Sequence, residues 1–298
     1  MSSVIFPENS QNFFKEVQEW LSKLPAAFQL STGNYSEEFW LNVEGKNGRS
    51  LALLLRPLIE FSQEDSKGSI TSKTARHVTL WEDQWYTKRQ IVQSRLKALL
   101  GISERIPARL TQVRRLDRPT TSNFLKENHL QDATITKYKY GLFLPEKHFR
   151  VLAQPPANDE LLVAIATFAR PRIFDRAEGP HRSYELVRFA NLLSTTVVGG
   201  LDKLLSHFVK EHQPDDIMTY ADLEWSSGVS YQKLGFETHG DTPPQEFWVD
   251  PATMQRCYPH RLPDEITEDS ATNHGIVKIK NAGSRKFVKN FLPQSHSN

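Results

Sequence analysis

The sequence predicts an α/β protein of mixed sheets, with a smaller first domain and a larger second one. Three observations predict this class. Helix-like and strand-like segments alternate along the 298 residues. A break between Gly101 and Pro107 separates the two halves. From residue 184 to residue 249 the order is strand, helix, strand, helix, strand, which requires a partly parallel sheet with helices on both faces.

Composition indicates a soluble globular chain. It is 38% hydrophobic and 24% charged, with a formal net charge of +2. No apolar run approaches the ~18 residues that cross a bilayer, and the first residues lack the pattern of a secretory signal. The single cysteine, Cys257, excludes an internal disulfide and a cysteine-cluster metal site. We therefore expect a cytoplasmic protein with no membrane segment and no bound metal.

The first domain, residues 1–101, is predicted to contain two amphipathic helices and three strands. Apolar residues recur with helical spacing over Asn9–Leu24 and Asp83–Leu100, and Gly101 is a typical helix stop. A turn at Gly45–Gly48 favours a hairpin between two of the strands, while residues 63–74 are polar and predict a loop. The strands are expected at Phe39–Val43, Ser50–Leu55 and Val78–Trp81.

The second domain, residues 102–262, is predicted to carry most of the sheet. Residues 170–183, with two prolines and a glycine, predict a long hairpin loop. Residues 263–298 are expected to form a hairpin around Asn281–Gly283 followed by a tail. Strands are expected at Ala108–Val113, Tyr138–Leu144, Leu161–Phe168, Tyr184–Phe189, Asp216–Ala221 and Glu246–Val249, and helices at Thr120–Asn128, Gly200–His212 and Ser226–Leu234.

Basic residues are concentrated where the two halves meet. Between Lys88 and Arg118 there are nine Arg or Lys and two acids, Glu104 and Asp117. A solvated linker face is one interpretation. Contact with a phosphate backbone is the other, in which Arg114 and Arg115 would hold a nucleic acid.

The stretch from Thr195 to Phe236 is the one segment whose spacing indicates a ligand. Its paired glycines lie between a strand and a helix, where backbone N–H groups attract phosphate. The predicted cradle consists of Val198, Gly199, Gly200 and Lys203. Tyr231 follows in the next helix, where a phenol protonates a departing thiolate or simply packs. A tight turn without a ligand is the alternative.

This stretch resembles the core of the GNAT acetyltransferase family. Tyr231-Gln-Lys-Leu-Gly-Phe236 is similar to the family's YxxLGF segment, and Gly199 fits a glycine of its Q/R-x-x-G-x-G/A motif. The resemblance implies a GNAT-like second domain that uses acetyl-CoA or another acyl-CoA, with Tyr231 as general acid. In the glycine motif, Thr196 replaces Gln/Arg, and Leu201 occupies the second small position.

A wider set of motifs, spanning about Arg105 to Arg261, resembles the GNAT-like half of phage and bacterial proteins with a homing-endonuclease-type domain ahead of it. DNA-modifying Mom proteins are distant members of that group, so base modification is implied by analogy. The motifs are Phe124-Leu-x-x-Asn128-His129-Leu-Gln131, Ala164-x-x-Thr-Phe168-x-x-Pro171-Arg172, Tyr184-Glu-Leu-x-Arg188-Phe189, Val198-Gly-Gly-x-x-Lys203-Leu-Leu and Tyr220-Ala-Asp222-x-x-Trp225-Ser-x-Gly228.

Polar residues of these motifs are candidates for the reaction. Asp222, His129 or Glu185 would take the acceptor's proton. For Asp222 and His129, capping a turn or a helix is the alternative. Arg172 and Arg188 are candidates for binding phosphate or carboxylate, although Arg188 has Glu185 or Asp222 as an alternative partner. Trp225 would stack on a base or belong to the core.

The first domain resembles very-short-patch-repair-like endonucleases of the PD-(D/E)xK type. The resemblance rests on Val78-Thr-Leu-Trp-Glu-Asp-Gln-Trp85 and on Lys88-x-x-Ile91-Val-x-Ser94-Arg95-Leu-x-x-Leu-Leu-Gly101. Carboxylates for Mg²⁺ would lie among Glu44, Glu60 and Glu64-Asp65-Ser-Lys67, but Leu51–Leu55 stand where one is expected. The sequence thus favours a degenerate nuclease fold that keeps a binding surface.

Together these observations predict a GNAT-fold transferase acting on a nucleic-acid or nucleotide-linked acceptor, with DNA favoured over RNA. Two alternatives remain. A catalytically silent DNA-binding protein follows if Leu201 and Asp202 close the cofactor cleft, and a metal-dependent endonuclease follows if the carboxylates of the first domain bind metal.

Overall fold

The chain folds into two packed units, each built on a mixed sheet. The computed structural model describes residues 8–25, 28–35, 38–45, 48–58, 76–176, 179–259, 262 and 275–291. The first unit comprises α1 (Glu8–Ser22), β1 (Phe28–Tyr35), β2 (Glu38–Gly45), β3 (Ser50–Arg56), β4 (Arg76–Trp81), α2 (Glu82–Thr87) and α3 (Arg89–Leu100).

The first unit is a four-stranded sheet in the order β1-β2-β3-β4, in which only the β3–β4 pair is parallel. The predicted hairpin of β2 and β3 is confirmed. The predicted helix over residues 83–100 is two helices, because the chain breaks at Lys88 (φ −131°). Leu51–Leu55 are all buried. Leu51, Leu53 and Leu55 share a core with α1 and α3, whereas Ala52 and Leu54 pack with Trp40. The predicted loop at residues 63–74 lies outside the described residues.

The second unit contains most of the strands. Its elements are β5 (Glu104–Pro107), β6 (Gln112–Arg115), α4 (Arg118–Asn128), β7 (Tyr138–Pro145), β8 (Glu160–Phe168), β9 (Arg172–Arg176), β10 (Gly179–Asn191), β11 (Thr195–Val198), α5 (Gly200–His212), β12 (Asp216–Asp222), α6 (Val229–Lys233), β13 (Glu237–Asp241), β14 (Glu246–Asp250), β15 (Gln255–Cys257), β16 (Val277–Lys280) and β17 (Ser284–Asn290).

Its central sheet has the order β13-β17-β12-β10-β8-β7-β6, with β9 beside β10. Successive side chains of a strand point to opposite faces, so one strand can hold a helix on each side. On β8, Phe168 stacks on Phe208 of α5 with ring centroids 3.8 Å apart, whereas Ile165 packs with Phe124 and Leu125 of α4. The predicted mixed α/β class, with helices on both faces, is therefore confirmed.

The C-terminal strands belong to the sheets of the second unit. β16 pairs with β14, and β17 lies between β12 and β13. The predicted hairpin around Asn281–Gly283 is wrong, because β16 and β17 pair with other strands and not with each other. The boundary expected before residue 263 therefore does not separate these two strands from the second unit.

Two further predictions of local structure need correction. The expected hairpin loop at residues 170–183 is itself paired strand, formed by β9 and the start of β10, with every residue of β9 exposed. The expected strand at Ala108–Val113 is a 3₁₀ turn at Ala108–Leu110 followed by the start of β6, and β5 ends just before it and pairs in parallel with β11. β9 pairs with the strand that follows it directly, whereas β6 pairs with β7 about 30 residues away, which local periodicity does not reveal.

The two units share buried contacts. Trp225, from the turn after β12, lies in the core of the first unit, and Trp81 of β4 packs against Phe247 and Val249 of β14. Asp83 of α2 accepts two hydrogen bonds from Arg256, each 2.9 Å long. Within the described ranges, none of the helices has the length and apolarity to cross a membrane.

Candidate functional site

A cleft opens where β10 and β12 separate. These parallel strands pair only between Ser183–Leu186 and Asp216–Thr219. Beyond that point β10 continues along β8, and β12 continues along β17. In open α/β sheets, ligands bind outside the carboxyl ends of parallel strands at such a point. The cleft holds a cavity of about 330 Å³, at the lower end of the range of ligand pockets.

The cavity brings together residues that are distant in the sequence. All four predicted catalytic residues border it, together with one predicted substrate residue. They come from the second half of β10, from the end of β12, from α6 and from the residue after α4. They are His129, Glu185, Arg188, Asp222 and Tyr231.

Tyr231 lies on the short helix α6, at the edge of the cavity. Its ring contacts Phe236 and Phe287, with centroids 5.7 and 5.5 Å away, and is partly buried in the core. Packing in the core and a role as general acid are therefore compatible for Tyr231, because its ring packs while the residue borders the cavity. Burial raises the pKa of Tyr231, against a hydrogen bond with Thr219 and the charge of Arg95. The phenol is thus protonated at neutral pH.

Asp222 ends β12 and faces the same cavity. Its Oδ1 accepts a hydrogen bond of 3.0 Å from the backbone N–H of Glu224, so the capping role expected for it is also present. Burial raises the pKa of Asp222, although this hydrogen bond and the charge of Arg95 oppose the rise. A carboxylate with a raised pKa is a better base at neutral pH than an exposed one.

His129 follows α4 and is a weaker candidate for the base. Burial lowers the pKa of His129 to about 3, and the positive charges of Arg95 and Arg188 contribute to this lowering. Its Nδ1 lies 2.6 Å from the carbonyl oxygen of Gln131 and 3.1 Å from the backbone nitrogen of the same residue. The imidazole is therefore neutral at neutral pH and binds a proton weakly. This favours Asp222 over His129 as the base.

Arg95 is a cavity residue that the sequence analysis did not identify as a site. It lies on α3, and its guanidinium sits 5.0 Å above the ring of Trp225. A signal was present in the sequence. Arg95 follows Val92 by three residues and precedes Leu96, so it lies on the stripe of α3 whose other members are buried. A charged residue on such a stripe needs a polar environment in the fold.

Trp225 is buried, with 2% of its surface exposed, and packs in the core of the first unit. Its Nε1 lies 3.4 Å from Oε1 of Gln84. This corrects the expectation that the ring is open for stacking on a nucleobase. The alternative, a core tryptophan, is the one that the structure has.

The predicted phosphate cradle forms a second cleft at the start of α5. Gly199 precedes the helix with φ 77°, and no side chain caps the free N–H groups of the first turn. Leu201 packs against the core and does not line this cleft. The cleft is lined by Arg105, Pro107, Ala108, Arg109, Val198, Gly199, Asp202 and Lys203.

Lys203 makes contacts that differ from its predicted role in this cleft. Its Nζ donates hydrogen bonds to the backbone oxygens of Ala108 and Thr111, at 2.9 and 2.5 Å. Burial lowers the pKa of Lys203. The side chain therefore fixes the 108–111 turn against α5, and two of its three N–H donors are directed away from a ligand.

The remaining predicted nucleic-acid residues lie away from both clefts. On β6, Arg114 forms an ion pair with Glu160 and Arg115 forms one with Glu211. Arg172 is exposed on β9. The basic residues between Lys88 and Arg118 are thus distributed over several contacts instead of one continuous face.

The predicted nuclease carboxylates are placed only in part. Glu44 lies exposed on β2, opposite Ser50. Glu60 and the Glu64–Lys67 cluster lie outside the described residues. In the described part of the chain, no three His, Cys, Asp or Glu side chains come together in a way that fits a metal ion.

No protein-family model and no curated protein matches the chain. Among solved structures it is similar to histone acetyltransferase HPA2 and related acetyltransferase from Corynebacterium glutamicum ATCC 13032, at 14% identity and a TM-score of 0.35, over 62% of this chain and 98% of that one. It is also similar to a chain of the KacTA-DNA complex, at 20% identity and a TM-score of 0.29, over 44% of this chain and 87% of that one. Each similarity takes in most of the other chain and only part of this one.

Proposed function

We propose that the chain is a GNAT-like transferase that moves an acyl group onto a nucleic-acid or nucleotide-linked acceptor. The observation that supports this most directly is the position of Tyr231 and Asp222 in one cavity between diverging parallel strands. A protonated phenol and a carboxyl of raised pKa form an acid–base pair suited to neutral pH. The resemblance of the Tyr231–Phe236 segment to the GNAT family adds the acyl donor.

The second cleft fits the phosphates of an acyl-CoA. The free N–H groups at the start of α5 and the side chains of Arg105 and Arg109 would hold them, because both kinds of donor favour anions. Asp202 adds one negative charge beside two arginines. When bound, acyl-CoA supplies an activated acyl group on sulfur.

The protein's own groups would manage the protons. Asp222 removes a proton from the acceptor's nucleophile as the nucleophile bonds to the acyl carbon. Tyr231 donates its phenolic proton to the departing thiolate, which leaves as a thiol. One proton is taken up and one is given back, so the reaction is balanced overall. Glu185 borders the same cavity and is a second base within the proposal.

The acceptor is proposed to be DNA or a nucleotide linked to it. The resemblance of its motifs to phage and bacterial proteins with a nuclease-type domain favours DNA over RNA. Modification of a nucleobase is the specific form of this proposal. Arg188 in the cavity and the exposed Arg172 on β9 are the basic residues that we assign to the acceptor.

Acyl transfer tests this function directly. The protein is incubated with acetyl-CoA and, separately, with deoxynucleotides, single-stranded DNA, duplex DNA and RNA, and mass spectrometry detects an acetyl mass on the acceptor. Tyr231→Phe is expected to lower the rate by about 100-fold or more, because a positioned general acid contributes that much. Tyr86→Phe, outside both clefts, is the matched control.

A silent DNA-binding protein is the second candidate, favoured by the charge of Asp202 in the donor cleft. Calorimetric titration with acetyl-CoA and free CoA separates the two. Binding that weakens in Arg105→Gln supports the transferase. No binding at millimolar CoA, together with no acylated acceptor, contradicts it and leaves the silent protein.

A further inference from the structure

Two arginines from different units face the cavity between β10 and β12. Arg95 comes from α3 of the first unit, and Arg188 comes from β10 of the second. In each side chain Nε is buried and has no hydrogen-bond partner in the described structure. Nη1 of Arg188 donates to the backbone oxygen of Val187 at 2.9 Å. Both guanidiniums therefore keep free N–H donors inside the fold.

Buried N–H groups of a guanidinium that lack acceptors are unfavourable unless a ligand accepts their hydrogen bonds. Glu185 and Asp222 border the same cavity, yet within the described residues neither carboxylate forms an ion pair with either arginine. Desolvation lowers the pKa of both arginines, although the charge of Asp222 opposes this for Arg95 and that of Glu185 opposes it for Arg188. The charges of the two arginines together lower the pKa of His129. The positive charges of the two guanidiniums thus face the same cavity.

The position of Arg95 is fixed from two sides. The adjacent Ser94 accepts a hydrogen bond of 2.8 Å from the backbone N–H of Ser194, which ties α3 to the loop after β10. The guanidinium lies over Trp225, whose ring is held in the first unit's core. A cation preorganised in this way loses little freedom when it binds an anion.

We propose that Arg95 and Arg188 bind one phosphate group of the acceptor, so that the first unit completes a site in the second. Each guanidinium presents a planar fork of N–H donors that matches phosphate oxygens. This inference rests on the proposed function, because it names the part of a nucleotide-linked acceptor that the cavity recognises. It also gives the first unit a role in substrate binding.

Calorimetric titration with 5′-dAMP, deoxyadenosine and inorganic phosphate tests the site on the full chain. We expect dAMP to bind at least 10-fold more tightly than deoxyadenosine, and Arg95→Gln and Arg188→Gln each to weaken dAMP binding by at least 10-fold. Lys97→Gln, on the same helix, is the matched control and is expected to leave binding unchanged. Equal binding of dAMP and deoxyadenosine overturns the proposal, as does full dAMP affinity in both glutamine variants.

Titration with CoA shows whether the phosphate that these arginines bind belongs to the donor or to the acceptor. Arg105→Gln, in the cleft at the start of α5, is expected to weaken CoA binding and to leave dAMP binding unchanged. If Arg95→Gln weakens CoA binding and not dAMP binding, the phosphate belongs to the donor and the proposal is overturned.

Lysine variants separate a loss of binding from a loss of folding, and binding measurements separate the phosphate site from the transferase reaction. Arg95→Lys and Arg188→Lys retain the charge and lose the fork, so they are expected to fold and still to weaken dAMP binding measurably; unchanged affinity in both contradicts the proposal. Binding of dAMP through these arginines without any acyl transfer leaves the phosphate site standing and removes only the transferase function.

Discussion

Glu224 is a buried carboxyl where the two units meet. Its Oε1 accepts a hydrogen bond of 2.8 Å from Nε1 of Trp81. Burial, helped by the charge of Asp222, raises the pKa of Glu224 from 4.5 to about 7. Since the folded-state pKa is the higher one, the stability that its protonation contributes is fully present below about pH 4.5. That contribution is lost as the pH rises through about 7.

We predict that Glu224→Gln removes this dependence on pH. The amide oxygen still accepts the Trp81 hydrogen bond, and no buried charge forms at high pH. Between about pH 5 and about pH 8 the free energy of unfolding of the wild type should fall by about 2 kcal/mol relative to that of the variant. Urea unfolding of both proteins at the two pH values measures this. Parallel changes in the two proteins would show that Glu224 does not titrate in this range.

Sequence motifs predict some of the residues that line the cavity, but not all of them. Tyr231, Asp222 and Glu185 were recognised from motifs, and the fold brings them to one cavity, although their roles remain predictions. Among the surrounding basic residues Arg95 does not stand out by composition, and only its position on the buried stripe of α3 indicates a buried charge. The predicted substrate-stacking role of Trp225 is wrong, because the ring is buried in the core of the first unit. No local sequence pattern reveals that contact.

Among the elements, α6 depends on a glycine. Gly228 precedes the helix with φ 79°, and a Cβ at this position would lie 2.1 Å from the ring of Phe287 on β17. Any larger residue must therefore adopt a left-handed backbone and also displace a core ring. The helix that carries Tyr231 packs closely on the sheet because this residue has no side chain.

We predict that Gly228→Ala destabilises the protein by about 2–4 kcal/mol, from backbone strain and overpacking together. Gly240 is the matched control. It has φ 91°, and a Cβ added there would meet nothing within 4 Å, so Gly240→Ala should lose only the backbone part, about 1–2 kcal/mol. Urea unfolding measures both. Equal losses would mean that Phe287 moves aside at little cost.

Helices and strands with a clear hydrophobic periodicity can be predicted from the sequence. Strands that form only by pairing with a distant segment cannot. α5 was predicted with its observed bounds because its apolar face repeats at helical spacing. β13 has five exposed residues and no alternation, and it is a strand only because β17 pairs with it. β17 itself has two buried residues, Phe287 and Val288, which are adjacent and give no clear strand pattern.

At the scale of the whole molecule, the units are joined by the buried pair of Asp83 and Arg256, with Asp83 4% exposed in its side chain. On the surface, Arg285 and Asp241 form an ion pair that likewise has two hydrogen bonds, of 2.7 and 2.8 Å. The two pairs differ mainly in burial. Removing one partner of a buried pair leaves an uncompensated charge, whereas water solvates the exposed one.

We predict that Asp83→Ala lowers the free energy of unfolding by about 3 kcal/mol, and that Asp241→Ala has a far smaller effect. Because the units share a core around Trp225, Asp83→Ala should shift one cooperative transition. Far-ultraviolet circular dichroism and tryptophan fluorescence should give the same midpoint. Two separate transitions would show that the units fold independently.

The place of β17 in the sheet has a consequence for synthesis in the cell. A ribosome releases β12 and β13 well before β17, yet β17 is the strand that joins them. Until it emerges, β12 has an open edge whose N–H and C=O groups are free to pair with another chain. At ordinary rates of translation this interval lasts on the order of seconds. A nascent chain stalled before β17 would therefore be a natural client for chaperones that shield unpaired strands.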